Sequence, residues 1–178
     1  DAQGNIYAYA NTNGGERVYV YDPQGTALFE LESTGDSWVS DLATGANGQV
    51  VALCYDNGSR MIKYIDVAGK AWGKNLALNI NNIYNGGGEY DLYYNNSDTV
   101  YGLNPEDSQG TALFSWLDCN IDSTNGLAFA ALEDGSFLCI TQDYEAGSGE
   151  IARITAQDAS TLPQKQELAL ATFNIDSS

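Results

Sequence analysis

Apolar residues recur along this chain in short runs, many of them alternating with polar ones. They are NIYAYAN at 5–11, RVYVYD at 17–22, ALFELE at 27–32, QVVALCYD at 49–56 and MIKYID at 61–66. Further on come YDLYY at 90–94, TVYGLN at 99–104, ALFSWL at 112–117, SFLCIT at 136–141 and EIARIT at 150–155. The runs are rich in Tyr, Val, Ile and Phe, which suit a pleated, half-buried surface. Asn, Gly, Asp and Pro separate them and supply the turns. A helical reading near residues 68–76 fails, because Gly69 and Gly73 interrupt it. The pattern predicts an all-β chain.

The runs also repeat. DPQGTALF at 22–29 returns as DSQGTALF at 107–114, and KYIDVAGKAWGKNLAL at 63–78 follows the same plan between them. Gly4, Gly48, Gly88 and Gly135 each open an apolar run, at spacings of 44, 40 and 47. One unit of about 43 residues is therefore used about four times, near 4–47, 48–87, 88–134 and 135–156. A unit of that length holds four short strands, and repeating it about an axis gives a β-propeller or propeller-like array of about four blades. In the Asp22-Pro-Gln-Gly25 turn, proline presets its own φ and glycine closes the turn. Asp22 accordingly reads as a turn acceptor. Trp38, Trp72 and Trp116 read as wedges between sheets, with Trp38, just after a loop, the candidate for a stacking platform.

Four units nearly use up the chain. Either they close as a small ring, or the chain is a fragment, an arc of a larger one. An open arc leaves a blade face bare and predicts self-association. Residues 1–156 form the repeat region and 157–164 a polar linker. Residues 165–178 form either a closing strand or the start of a further domain.

Composition narrows the chemistry. The 178 residues carry 7 Lys and Arg against 24 Asp and Glu, a net charge of -17, and include no His. Without imidazole there is no Ser-His-Asp or Cys-His centre. The acidic field repels phosphate backbones and anionic lipid, so no nucleic-acid partner is expected. Cys54, Cys119 and Cys139 are odd in number and form no C-x-x-C. Cys54 and Cys139 lie in strand runs and read as small buried hydrophobes. No cofactor is implied.

Three residue sets remain as candidates. Trp38 with Tyr90, Tyr93, Tyr94 and Asn95, the latter four inside the Asn-, Gly- and Tyr-rich stretch 79–98, could stack on and hydrogen-bond a sugar or peptide. Equally, 79–98 reads as a solvated hairpin. Asp118, Asn120, Asp122 and Thr124 place oxygens at every second residue, as calcium loops do. The glycine is misplaced and Phe129 stands where the closing Glu belongs, so a polar turn is the competing reading. Paired carboxylates for glycoside hydrolysis are the surviving enzymatic option. Asp22, Asp66 and Asp107 recur with the repeat, however, and no unique pair stands out.

The tail KQELALATFNIDSS at 165–178 resembles the opening of extracellular solute-binding proteins of ABC importers. The units around Gly4–Tyr7, Val18–Gly25 and Asn47–Val50, with Leu168–Phe173 at the junction, resemble the repeat region ahead of the binding lobes in large lipoproteins of Gram-positive gut bacteria. That resemblance implies a non-catalytic extracellular module of a solute-binding lipoprotein. It further implies a lipid anchor N-terminal to this region and a membrane ABC permease as the parent's partner. The family's ligand residues lie in the lobes, so none maps onto this chain. A carbohydrate-binding propeller is the second reading, and a fragment of a secreted glycoside hydrolase the third.

Overall fold

The computed structural model describes residues 1–12, 15–33, 38–121, 127–143, 147–156 and 162–172. Their strands fall into four antiparallel sheets, and among the described residues there is no α-helix. Sheet I holds β1 (Ile6–Thr12), β2 (Gly15–Tyr21) and β3 (Ala27–Glu32). Sheet II holds β4 (Trp38–Thr44), β5 (Val50–Asp56), β6 (Ser59–Asp66) and β7 (Ala71–Ala77). Sheet III is built from β8 (Asn82–Gly87), β9 (Tyr90–Asn96), β10 (Thr99–Leu103) and β11 (Thr111–Ser115). Sheet IV comprises β12 (Leu127–Ala131), β13 (Phe137–Asp143), β14 (Ser148–Thr155) and β15 (Gln164–Thr172). In every sheet the strands pair in chain order, each with the next in sequence.

The repeat is stricter than the unit spacing suggests. From each marker glycine to the end of its strand is eight residues: Gly4 to Thr12, Gly48 to Asp56, Gly88 to Asn96 and Gly135 to Asp143. The sheets nevertheless group the strands in a different phase from the glycine-to-glycine units. Gly48 and Gly135 sit inside hairpins, where their N–H groups close turns onto Gly45 and Leu132. Both have φ near 80°, which L side chains resist. The strand before each glycine therefore joins the same sheet as the strand after it. Gly4 closes the same turn onto Asp1, but in sheet I β1 pairs with β2 alone.

Alternation buries both faces of the inner sheets. The cluster between sheets I and II contains Val18 and Leu31 against Val39, Val50, Ala52 and Cys54. Between II and III, Val51, Leu53 and Ile62 meet Ile83, Leu92 and Tyr94. Between III and IV, Tyr93, Phe114 and Trp116 meet Phe137, Cys139 and Ile154. Among the described residues, the three clusters join sheet I to II, II to III and III to IV. The C-terminal strand β15 is the outer strand of sheet IV, paired along its length with β14. All three cysteines are free thiols buried in these interfaces.

Candidate functional site

At one end of sheet II the register lines up three side chains. Trp38 on β4 is opposite Tyr55 on β5, and Tyr55 is opposite Arg60 on β6. Residues directly opposite in an antiparallel pair point to the same face, here the face toward sheet III. The hairpin Asp56-Asn57-Gly58-Ser59 sets that register, with Asn57 and Gly58 both left-handed at φ 49° and 84°. Asn-Gly is the favoured pair for this two-residue turn. The Trp38 and Tyr55 rings stack with centroids 4.2 Å apart and planes 19° from parallel. Trp38 is 43% exposed.

Tyr55 also lines an open depression of about 510 Å³, with Ser59, Arg60, Leu78, Asn79 and Asn81 among its walls. The Arg60 guanidinium is held there by its Nη1, which donates to the carbonyls of Ile80 at 3.0 Å and Asn81 at 2.7 Å. Among the described residues, no carboxylate lines the depression. The site thus offers an aromatic platform, amide and hydroxyl groups, and one cation. That combination suits a ligand with an apolar face and several polar groups. A second depression of about 390 Å³ is bordered by Tyr64, Asp66, Lys74 and Pro105. There the Lys74 ammonium is occupied by the carbonyls of Pro105 and Asp107.

The sequence candidates separate between sheets. Trp38 is on sheet II, whereas Tyr90, Tyr93, Tyr94 and Asn95 are on sheet III. Tyr93 and Tyr94 are buried on opposite faces of β9. The Tyr93 hydroxyl donates to the Gly87 carbonyl at 2.5 Å, and the Tyr94 hydroxyl accepts from the Gly110 N–H at 3.2 Å. Asn95 is buried too, and its side chain ties the start of β8 to the β9–β10 turn. Its Oδ1 accepts from the Asn82 N–H at 3.0 Å, and its Nδ2 donates to the Ser97 carbonyl at 2.9 Å. Tyr90 is half-buried, edge-on to Tyr93, and covers Gly102, where a Cβ would overlap its ring. In this packing these four side chains hold sheet III together.

Of the calcium candidates, Asp118 is exposed in a short 3-10 turn, Leu117–Cys119. Asn120 caps that turn in the left-handed region, at φ 53°. Asp122 and Thr124 lie outside the described residues. Among the described residues, no three His, Cys, Asp or Glu side chains are grouped to hold a metal ion. The repeated acids serve their own turns. Asp22 Oδ1 accepts the N–H groups of Thr26 at 2.7 Å and Gln24 at 2.9 Å, and these bonds hold its carboxyl below the usual range. Asp66 accepts from the Gly69 N–H at 2.9 Å, and Asp107 from the Asn104 N–H at 3.1 Å. Burial raises the Asp41 carboxyl, against a lowering bond from the Leu42 N–H.

The other two tryptophans are structural. Trp116 is fully buried between sheets III and IV. Trp72 donates from Nε1 to the Glu32 carbonyl at 3.0 Å, linking sheets II and I. Sequence reasoning singled out Trp38 and the stretch 79–98 that contains Asn79 and Asn81, but not Tyr55 or Arg60. The Asn57-Gly58 pair was the available signal, since a two-residue hairpin there fixes Tyr55 opposite Arg60. In comparison with known proteins, the chain matches no protein-family model and no curated protein sequence.

Proposed function

We propose that this chain is a non-catalytic recognition module of propeller-like build, displayed outside the cell as part of a lipid-anchored solute-binding protein of an ABC importer. Its binding element is the Trp38–Tyr55 platform with the depression beside it, and its ligand is a carbohydrate. The observation that carries the binding role is a half-exposed tryptophan stacked on Tyr55 at the edge of a depression lined by Ser59, Arg60, Asn79 and Asn81. Pyranose rings present an apolar face to such a platform and hydroxyls to amide groups like those of Asn79 and Asn81. Support for the solute-binding parent is the resemblance of the repeats and of Leu168–Phe173. Support for a non-catalytic role is that Asp22, Asp66 and Asp107 are engaged by the backbone of their own turns.

Glycan-array screening followed by calorimetry tests the ligand. The unaltered chain should bind a subset of glycans, and Trp38→Ala should weaken binding about tenfold or more, a loss of about 1.4 kcal/mol. Its thermal midpoint should hardly change. Absence of binding to common glycans rejects the carbohydrate reading, and binding to peptides alone reassigns the site. The parent is tested by the gene sequence downstream of Ser178. Two binding lobes are expected there, and a stop codon in their place rejects the assignment.

A further inference from the structure

Arg60 has no carboxylate partner among the described residues, although the sequence carries 24 Asp and Glu against 7 Lys and Arg. Elsewhere in this acidic protein Arg17, Lys63, Arg153 and Lys165 each meet a carboxylate. The acid nearest to Arg60 in sequence is Asp56, which follows Tyr55 on β5 and so points to the opposite face of the sheet. Its carboxylate is taken by Lys63 at 3.6 Å and by the Asn57 Nδ2 group, which donates to it at 2.8 Å.

Main-chain carbonyls fix the Arg60 guanidinium instead. Its Nη1 donates to Ile80 and to Asn81, and those two bonds use both N–H groups of that nitrogen. A guanidinium carries five N–H donors in one plane. Nε and Nη2, on the remaining edge, have no protein acceptor among the described residues, and the side chain is exposed. That edge presents two parallel N–H groups, the arrangement that a carboxylate or a similar oxyanion accepts as a pair. Tyr55, directly opposite Arg60 in the register, lines the same depression. An aromatic face and a paired donor therefore border one space.

We propose that the carbohydrate bound at this site is acidic: its ring lies on the Trp38–Tyr55 platform, and its carboxylate or sulfate group takes the Nε–Nη2 edge of Arg60. This inference rests on the carbohydrate reading above and narrows it. Ser59, Asn79 and Asn81, which also line the depression, are neutral and offer donors and acceptors to the sugar hydroxyls. The net charge of -17 opposes an anion, but it is spread over the whole protein. At physiological salt, exposed charges more than about 8 Å away are largely screened. The contact with Arg60 is direct, so it outweighs that field.

Calorimetry at physiological salt, with ligand pairs that differ in charge, tests this. One pair is a uronate oligosaccharide and its methyl ester, and the other a sulfated oligosaccharide and its desulfated form. The unaltered chain should bind the charged member of one pair about tenfold or more tighter than the neutral member. The pair that shows the difference identifies the anionic group. Arg60→Gln should bring the ratio close to one. Loss of the tether to Ile80 and Asn81 would by itself weaken both members alike and leave the ratio unchanged. Arg60→Lys keeps the charge without the paired donors, so its ratio should fall between the two. Trp38→Ala should weaken both members and preserve the ratio. Equal binding of charged and neutral members overturns the proposal and leaves the carbohydrate reading standing. A ratio that survives Arg60→Gln overturns it as well. No binding to any glycan rejects the carbohydrate reading, and this inference with it.

Discussion

The N–H of Ala46, in the turn before β5, donates to the carbonyl oxygen of Asp91 on β9 at 2.9 Å, bonding sheet II directly to sheet III. Gly86 on β8 lies against this bond. A Cβ at that position would overlap both the Asp91 carbonyl and the Ala46 nitrogen. Its neighbours are backbone and cannot swing aside. The Asn47 Nδ2 group donates to Asp91 Oδ2 at 3.1 Å, and the Asn85 side chain accepts the Thr44 N–H at 2.9 Å at the same junction.

Gly86→Ala should therefore cost at least the 1–3 kcal/mol of an overpacked core, roughly, because the clash is with backbone. Gly25→Asn is the control. Gly25 has φ 85° but nothing within reach of an added Cβ, and Asn tolerates that backbone region. Urea midpoints should fall clearly for the first substitution and little for the second.

Trp116 fills the interface between sheets III and IV, edge-on to Phe114 at 5.0 Å and to Phe129 at 5.3 Å. Truncation to Ala should cost about 3–5 kcal/mol through lost burial and the cavity left behind. The buried indole N–H has no hydrogen-bond partner among the described residues. Trp116→Phe removes that polar group along with some volume, so it should cost much less than Trp116→Ala. Thermal unfolding of the two variants measures the difference.

Burial pushes the thiols up from their ordinary 9.0, to about 11 for Cys54 and Cys139 and about 12 for Cys119. It raises Tyr84 from 10.0 to about 12 and shifts Tyr64, Tyr93 and Tyr94 in the same direction. Above pH 9 the unfolded chain loses protons that the folded chain retains. The contribution of these thiols and phenols should consequently be level below about pH 9 and fall as pH rises from about 9 to about 12. Urea midpoints across that range check the sign. In the native state at pH 8, thiol reagents should label the cysteines only as fast as the protein opens.

Acid acts on the exposed turns. Asp22 is held below its ordinary 3.8 first by the Thr26 N–H, and Asp134 by Ser136. A depressed carboxyl stabilises the fold above its unfolded value, and the benefit is lost as pH falls through the folded value. Asp22→Ala should lower the urea midpoint at pH 7, with the gap from the unaltered chain narrowing below pH 3.8. A gap that holds constant with pH would assign the effect to something other than the charge.

Much of the local structure was legible from the residues. The apolar runs became strands, and Pro23 with Gly25 formed the expected turn, closed by the Gly25 N–H on the Asp22 carbonyl at 3.0 Å. Turn residues encode their own backbone angles, and alternation encodes the pleat, so both can be read from a few neighbouring positions. The phase of the repeat was not legible, because a glycine marks a turn without saying whether the turn lies within a sheet or between two.

The candidate site divides along the same line. Sequence alone determined that Tyr93 and Tyr94 point to opposite faces of one strand, and that Trp38 follows a loop at a strand's start. It could not say which faces would be covered. Sheet III has a sheet on each side, so both tyrosines are buried, while at the end of sheet II Trp38 stays half open on Tyr55. Ile6 is 52% exposed although Val50, at the equivalent repeat position in sheet II, is buried. Alternation fixes a side chain's direction, and only the stacking of sheets decides whether it meets protein or water, since burial depends on residues distant in the chain.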